Sequence, residues 1–312
     1  MHQNPAPPKI VVICGPTGIG KTSTAIDLCE AVGGSIVGAD SMQVYRAMDI
    51  GTAKPTPQER VRVRHDLIDV ADPDENLDAA RYEQMASQVI SQLQAAGLTP
   101  CVVGGTGLYI KVLLHGIFPD APRNPAVRKV LGFRLEQEGA PALHHELTRC
   151  DPRAAERIHP NDAPRIVRAL EVFETTGRPL TDLQRCHGFR QQRYAALQIG
   201  LNIERQELFR RIDQRVDRMI EQGLLTEVRT LLERGYSPQL KSMQSIGYRH
   251  MTAYIAGHLN WKEAVRTLKR DTRRYAKRQL TWFMANPKVL WFRPDQSRSI
   301  LDEVRSFLQT GV

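Results

Sequence analysis

Long apolar runs are missing from this chain. None approaches the ~20 residues that a membrane-spanning helix needs, which argues against a membrane protein. The opening residues, MHQNPAPP, hold neither a basic cluster nor an apolar core, so they read as a short frayed tail rather than a secretory signal. Cysteine is sparse: Cys14, Cys29, Cys101, Cys150 and Cys186 are scattered, with no C-x-x-C among them. That excludes a disulfide framework and a cysteine zinc site, and suits the reducing cytoplasm. The nine histidines show no metal-ligand spacing. Acidic residues are outnumbered, 34 against 43 basic, leaving a formal charge of +9; this favours polyanionic partners, nucleic acid first. Two further absences concern nucleotide chemistry. No N-K-x-D tetrad for reading guanine occurs, and the apolar run 100–103 ends in Gly-Gly-Thr where a GTPase or ATPase often places a magnesium-binding aspartate. Motor and switch NTPases are thereby disfavoured.

What is present begins at residues 15–22. Gly15, Pro16, Thr17, Gly18, Ile19, Gly20, Lys21 and Thr22 complete the G-x-x-x-x-G-K-[ST] phosphate-loop pattern. The apolar run 9–14 precedes it, and a stretch with Ala25, Leu28, Cys29 and Val32 at helical spacing follows. Strand, glycine-rich loop and helix start are the context in which backbone N–H groups converge on phosphate oxygens. Lys21 adds a point charge, and the Thr22 hydroxyl can hold Mg²⁺. The loop identifies an anion, not a reaction.

Further along, residues 34–40 read as a second buried strand ending in Asp40, which the fold class brings near the anion site. A carboxylate there can ligate magnesium, cap a turn or accept a proton. Residues 40–56 form an ordered polar loop, and 65–70 a short strand. A helix capped by Asn76 runs to about Ala96; a third strand and tight turn span 100–107, and a helix begins at Leu108. After the linker 119–125 the character changes to helices alone, over 126–138, 141–150, 153–158 and 164–176. The polar stretch 187–194 reads as a return linker, 196–201 as a returning strand and 289–292 as an edge strand. The expected architecture is α/β: a parallel-sheet core of P-loop NTPase type with a helical insertion domain. The core spans 1–119 and 196–312, with basic C-terminal helices, and the insertion 120–195.

Three clusters invite a functional reading. Residues 261–284 form one amphipathic helix in which seven Lys and Arg fall within thirteen positions against the single acid Asp271. Such a face is either merely solvated or drawn to a phosphate backbone. On the same helix Tyr275 can stack on a base or pack in the core. Gln43 carries an amide that can both donate to and accept from a purine edge. Arg165 and Arg168 share one helix face, as do Arg211 and Arg215, the latter pair with Asp213 and Asp217 near enough in sequence to neutralise them.

Taken together, GPTGIGKT, ADSMQVYRAMDIGTAKP, GGTGLY, IHPNDAPRIVRALEVFETTG, RIDQRVDRM and SIGYRH resemble the tRNA dimethylallyltransferases, in the family's order and across roughly residues 10–285. One departure is Ile19, where the family usually carries a small or hydroxyl residue. The resemblance implies transfer of the prenyl group of dimethylallyl diphosphate to the exocyclic amine of the adenosine just 3′ of the anticodon, in tRNAs reading codons that begin with U. It implies that the phosphate loop and Arg215 hold the departing diphosphate with Mg²⁺ near Thr22. Asp40 is then the base and Thr106 a contact beside the reacting amine. It carries over Ser41, Met42 and Gln43 as contacts to the target nucleotide. Arg128, Pro164, Arg165, Ile166, Val167, Arg168, Lys241, Ser242, Met243, Gln244, Ser245 and Ile246 become contacts to the tRNA anticodon stem-loop. A cytoplasmic monomer is the expectation. The rival readings are a phosphate-loop nucleoside or nucleotide kinase and an RNA-binding ATPase.

Overall fold

A computed structural model describes residues 7–116, 124–187 and 192–310; most of the N-terminal tail and of the linker 119–125, and half of the linker 187–194, lie outside them. The first unit comprises residues 1–114 with 193–312, and the second residues 115–192.

The first unit begins with β1 (Lys9–Cys14), α1 (Lys21–Val32), β2 (Gly34–Gly38), α2 (Pro57–Arg62), β3 (His65–Asp66), α3 (Ala79–Ala95), β4 (Thr99–Gly104) and α4 (Gly107–His115). The second unit holds α5 (Pro125–Cys150), α6 (Pro152–Arg157), α7 (Ala163–Thr176) and α8 (Leu180–His187). The chain then returns through β5 (Ala195–Leu201), α9 (Arg205–Glu221), α10 (Leu224–Glu233), α11 (Tyr248–Ile255), α12 (Trp261–Met284), β6 (Val289–Phe292) and α13 (Ser297–Gln309).

All six strands pair in parallel, in the order β3-β2-β4-β1-β5-β6. A parallel sheet covered on both faces needs apolar residues on both sides of each central strand, and β1 shows this alternation. Ile10, Val12 and Cys14 enter one apolar layer while Val11 and Ile13 enter the other. In register, Val11 faces Cys101 of β4 and Leu197 of β5, so the phosphate loop leaves the sheet at its middle. The expected strand 65–70 shrinks to two residues because Leu67 and Asp69 take positive φ, 63° and 58°, which no strand accommodates. Asp78, not Asn76, caps α3, accepting from the amides of Ala80 and Arg81.

The second unit has its own core of Leu131, Leu143, Leu147, Ile166, Ala169 and Leu170. Its first two expected helices are separate, broken where Gly139 (φ 80°, ψ 163°) leaves helical geometry before Pro141. Among the described residues no helix is long and apolar enough to cross a membrane.

Candidate active-site cleft

A cleft of about 680 Å³ opens at the C-terminal ends of the strands in the first unit, where an open parallel sheet binds its ligands. One wall is the phosphate loop. Gly20 stands at φ +107°, a conformation that L side chains rarely adopt, and no side chain caps the start of α1. Its first amides are therefore left for an anion. The Lys21 ammonium donates to the Pro16 carbonyl at 2.9 Å and lines the cleft with Thr22. Ile19 does not face the cleft at all. Its side chain is fully buried in the layer that includes Ala25, Ile26 and Ile212, so this departure from the family pattern serves the packing under the loop and leaves the backbone cradle intact.

The opposite wall comes from the ends of β2 and β4. Asp40 Oδ1 accepts from the amides of Met42 (2.9 Å) and Gln43 (3.3 Å), which fixes the turn after β2; among the described residues no hydrogen bond occupies Oδ2. The Thr106 hydroxyl accepts from the Ser41 amide at 3.0 Å and donates to the Ser41 hydroxyl at 3.3 Å, while the Thr106 amide donates to the Ala39 carbonyl at 3.1 Å. The strands approach so closely that a Cβ on Gly104 would stand 2.0 Å from the Ala39 oxygen. Only glycine permits the stitch that holds Thr106 beside Asp40.

Charge is concentrated between these walls. Burial pulls the Lys21 pKa down from 10.5 to about 8, against an upward pull from Asp40 and a further downward push from Arg215. Burial also lowers the pKa of Arg215, which Asp40 raises. The expected neutralisation of Arg211 and Arg215 by Asp213 and Asp217 is not what forms. Asp213 pairs with Arg273 at 2.7 Å, Asp217 with Lys269 at 2.6 Å, and Arg211 with Glu207 at 2.6 Å. Arg215 lines the cleft with no salt-bridge partner among the described residues. The cleft thus carries Lys21 and five arginines against the carboxylates of Asp40 and Glu59, a positive surplus suited to a polyanion.

Two polar residues of α12 complete the cleft. Gln279 is buried on α12, accepts from the Thr17 amide at 2.9 Å and donates to the Gly105 carbonyl at 2.9 Å, tying the phosphate loop to the β4 turn. Tyr275, one turn earlier, also lines the cleft, and burial with Asp40 nearby pushes its hydroxyl up to about 12. In sequence Tyr275 reads as a base stacker or a core residue, and nothing singles out Gln279.

The loop 41–56 is held rigidly. Gln43 Nε2 donates to the carbonyls of Thr52 (3.2 Å) and Ala53 (3.0 Å), so towards the cleft this amide can only accept. Lys54, its side chain 2% exposed, pairs with Asp49 and Asp69. The carboxylate of Glu227, on α10, accepts from the amides of Asp49, Ile50 and Gly51 at 2.8–3.0 Å and from the Tyr248 hydroxyl at 2.6 Å.

The structure brings Asp40–Gln43, Lys21, Thr22 and Arg215 into one cleft with Gln244–Ile246, and Thr106 against Ser41. It turns others inward. Ser242 and Met243 are buried, the former donating to the Pro73 carbonyl, so of the segment 241–246 only Lys241 and Gln244–Ile246 offer side chains outward. In the second unit Ile166 and Val167 are core residues and cannot present side chains to RNA. Arg128 and Arg168 converge on the fully buried Glu171, at 3.5 and 2.9 Å, which gives both a structural task. Arg165 is 68% exposed with a loose contact to Asp162, and Pro164 beside it is exposed. Among the described residues no group of three His, Cys, Asp or Glu could hold a metal ion.

Comparison with known proteins places this geometry. A family model described as IPP transferase matches residues 43–286. A protein of Desulfosudis oleivorans called tRNA dimethylallyltransferase is 55% identical over 287 residues, 92% of this chain and 91% of that protein. One of Geobacter sulfurreducens with the same name is 51% identical over 283 residues, 91% of each. Among solved structures, the full-length tRNA isopentenylpyrophosphate transferase of Bacillus halodurans superposes with a TM-score of 0.72 at 40% identity, covering 96% of this chain and 97% of that one. A eukaryotic dimethylallyltransferase captured acting on tRNA superposes with a TM-score of 0.78 at 28% identity, covering 96% and 77%.

Proposed function

The chain belongs to the IPP transferase family, and from that premise we propose how its cleft moves a dimethylallyl group from dimethylallyl diphosphate onto a tRNA adenosine. The phosphate loop takes the diphosphate. The target base leaves its stack, as base-modifying enzymes require, and sets its exocyclic nitrogen between that diphosphate and Asp40. The carbon–oxygen bond to the diphosphate breaks as the carbon–nitrogen bond forms; the electron pair leaves with the diphosphate, and the nitrogen's proton passes to Asp40.

The adenine amine is a poor nucleophile, so a base at that proton is worth roughly a hundredfold or more. Lys21, Arg215 and the loop amides lie ready for the charge that develops on the leaving group, and such donors are worth about 3–4 kcal/mol each in the barrier. Gln43, restricted to accepting by its bonds to Thr52 and Ala53, suits the N–H of adenine and rejects the carbonyl that guanine presents there. Thr106 is anchored by Ser41 and positions that wall. Mg²⁺ fits the donor set: Thr22 offers one hydroxyl oxygen in the cleft, and this ion takes most of its ligands from substrate phosphates and water. When bound it spreads the negative charge of the diphosphate.

The target is read as the adenosine 3′ of the anticodon in tRNAs for codons beginning with U. Arg128, Pro164, Arg165 and Arg168 of the helical unit, with Lys241 and Gln244–Ile246, grip the anticodon arm. The reading takes the protein to be a cytoplasmic monomer. The observation that carries the proposal is the single cleft in which an empty-capped helix start, Lys21 and Arg215 face Asp40. The test is the mass of an unmodified tRNA after incubation with protein, dimethylallyl diphosphate and Mg²⁺. A gain of one isopentenyl unit on that adenosine is expected. Phosphate transfer from ATP without any gain on the tRNA would overturn it.

A further inference from the structure

The charges on α12 are unevenly matched. Arg266 pairs with Glu263, Lys269 with Asp217, Arg270 and Arg274 with Asp271, and Arg273 with Asp213. Five of the seven cations that made this helix look like an RNA-binding face are therefore matched by carboxylates. Lys277 and Arg278 are exposed and have no salt-bridge partner among the described residues. The guanidinium of Arg278 lies 5.7 Å from the Tyr275 ring centre and reaches the cleft. Apart from Lys262 in the first turn, the cations of α12 without a salt-bridge partner among the described residues are Lys277 and Arg278, near its C-terminal end.

The same end of the helix carries Trp282, 44% exposed in a chain with only three tryptophans. Seven residues beyond Tyr275 and three beyond Gln279, it lies on the helix face that lines the cleft. Its seat is specific. A Cβ on Gly107 would come within 2.1 Å of the indole Nε1 and 2.2 Å of Cδ1, so the pyrrole edge rests on glycine backbone at the start of α4, next to Thr106. Leu108 beside it is 48% exposed. A large ring fixed at one edge and open to solvent, one turn from the exposed Arg278 that lines the cleft, has the two parts of a single-strand nucleic-acid site: a stacking platform and a phosphate attractor.

We propose that Trp282 is a base-stacking platform for an unpaired nucleotide of the tRNA loop next to the target, with Arg278 on its phosphate. The inference rests on the reading that the cleft receives a tRNA loop, and it assigns a subsite outside that cleft. A flipped target leaves its neighbours without a stacking partner; the exposed indole replaces it for one of them.

The test is equilibrium binding of an unmodified anticodon stem-loop by the full chain, without prenyl donor. Trp282→Ala should bind about 5- to 150-fold more weakly, the range that loss of one stacked base produces. Trp282→Phe keeps a ring and should recover most of the loss. Each loop nucleotide flanking the target is then made abasic in turn. One of them should weaken wild-type binding by a similar factor and add no further loss in Trp282→Ala. In turnover, Trp282→Ala should raise KM for tRNA and leave the single-turnover rate at saturating tRNA unchanged. Unchanged stem-loop affinity in Trp282→Ala, or a loss additive with every abasic substitution, overturns the platform. A wild-type chain that binds the stem-loop but transfers no prenyl group overturns the reaction proposed above and leaves the Trp282 result standing.

Discussion

Lys21 should make diphosphate binding depend on pH in a defined window. In the free protein its pKa is lowered from 10.5 to about 8, burial being the largest cause. A diphosphate placed against it stabilises the ammonium and returns the pKa towards its ordinary value or above it. Below pH 8 the free ammonium is already charged, and affinity should be flat. Above pH 8 the complex must take up a proton, so affinity falls by about tenfold per pH unit until the pKa of the bound form is reached. Between pH 7 and pH 9 the loss should be about tenfold, or about 1.4 kcal/mol. Calorimetric titration with a non-reactive thio analogue of dimethylallyl diphosphate, in buffers of different ionisation enthalpy, counts the protons directly. Uptake near zero at pH 7 and about 0.9 at pH 9 is expected; the terminal phosphoryl group of the ligand is fully ionised well below that window. Lys21→Arg does not titrate and should flatten the profile. Equal uptake at pH 9 in Lys21→Arg and wild type would refute the assignment. For the unliganded protein the sign is opposite. The folded chain binds fewer protons at Lys21 than the unfolded chain does between pH 8 and 10.5, so its contribution to stability rises with pH through that window.

Asp40→Ala should lower the single-turnover rate of prenyl transfer by roughly a hundredfold or more while tRNA affinity is retained; filter binding beside quench-flow separates the two. Arg215→Ala should cost about 10²–10³ in the chemical step, read as kcat at saturating donor and tRNA. Glu227→Ala leaves the amides of Asp49–Gly51 and the Tyr248 hydroxyl without their acceptor, and should destabilise the chain by about 1–3 kcal/mol, measured by denaturant titration.

The phosphate loop was legible because its function depends on spacing within eight residues, and each of those positions has one local task. Asp40 was legible as a carboxylate at a strand end, and the parallel sheet as apolar runs separated by helical periodicity. What stayed hidden depends on contacts between distant segments. Thr17 and Gln279 lie 262 residues apart, and nothing in the periodicity of α12 distinguishes a glutamine that bridges two loops from one that merely caps a stripe. The same holds for the basic helix: its composition pointed to RNA, but Asp213 and Asp217 on α9 pair with its cations at 2.6–2.7 Å, and such pairs are invisible until the two helices are packed. Ser242 and Met243 sit in a polar segment, yet they turn inward because Pro73 and the core lie behind them.

The clasp made by Glu227 has a bearing on how the protein is born. The three amides that it holds belong to residues emitted from the ribosome well before it, since 178 positions separate Asp49 from Glu227. A nascent chain carrying only its first half owns the phosphate loop and Asp40 but has no anchor for the segment 49–51. That segment is therefore fixed in its final form only after translation has passed Glu227 and Tyr248.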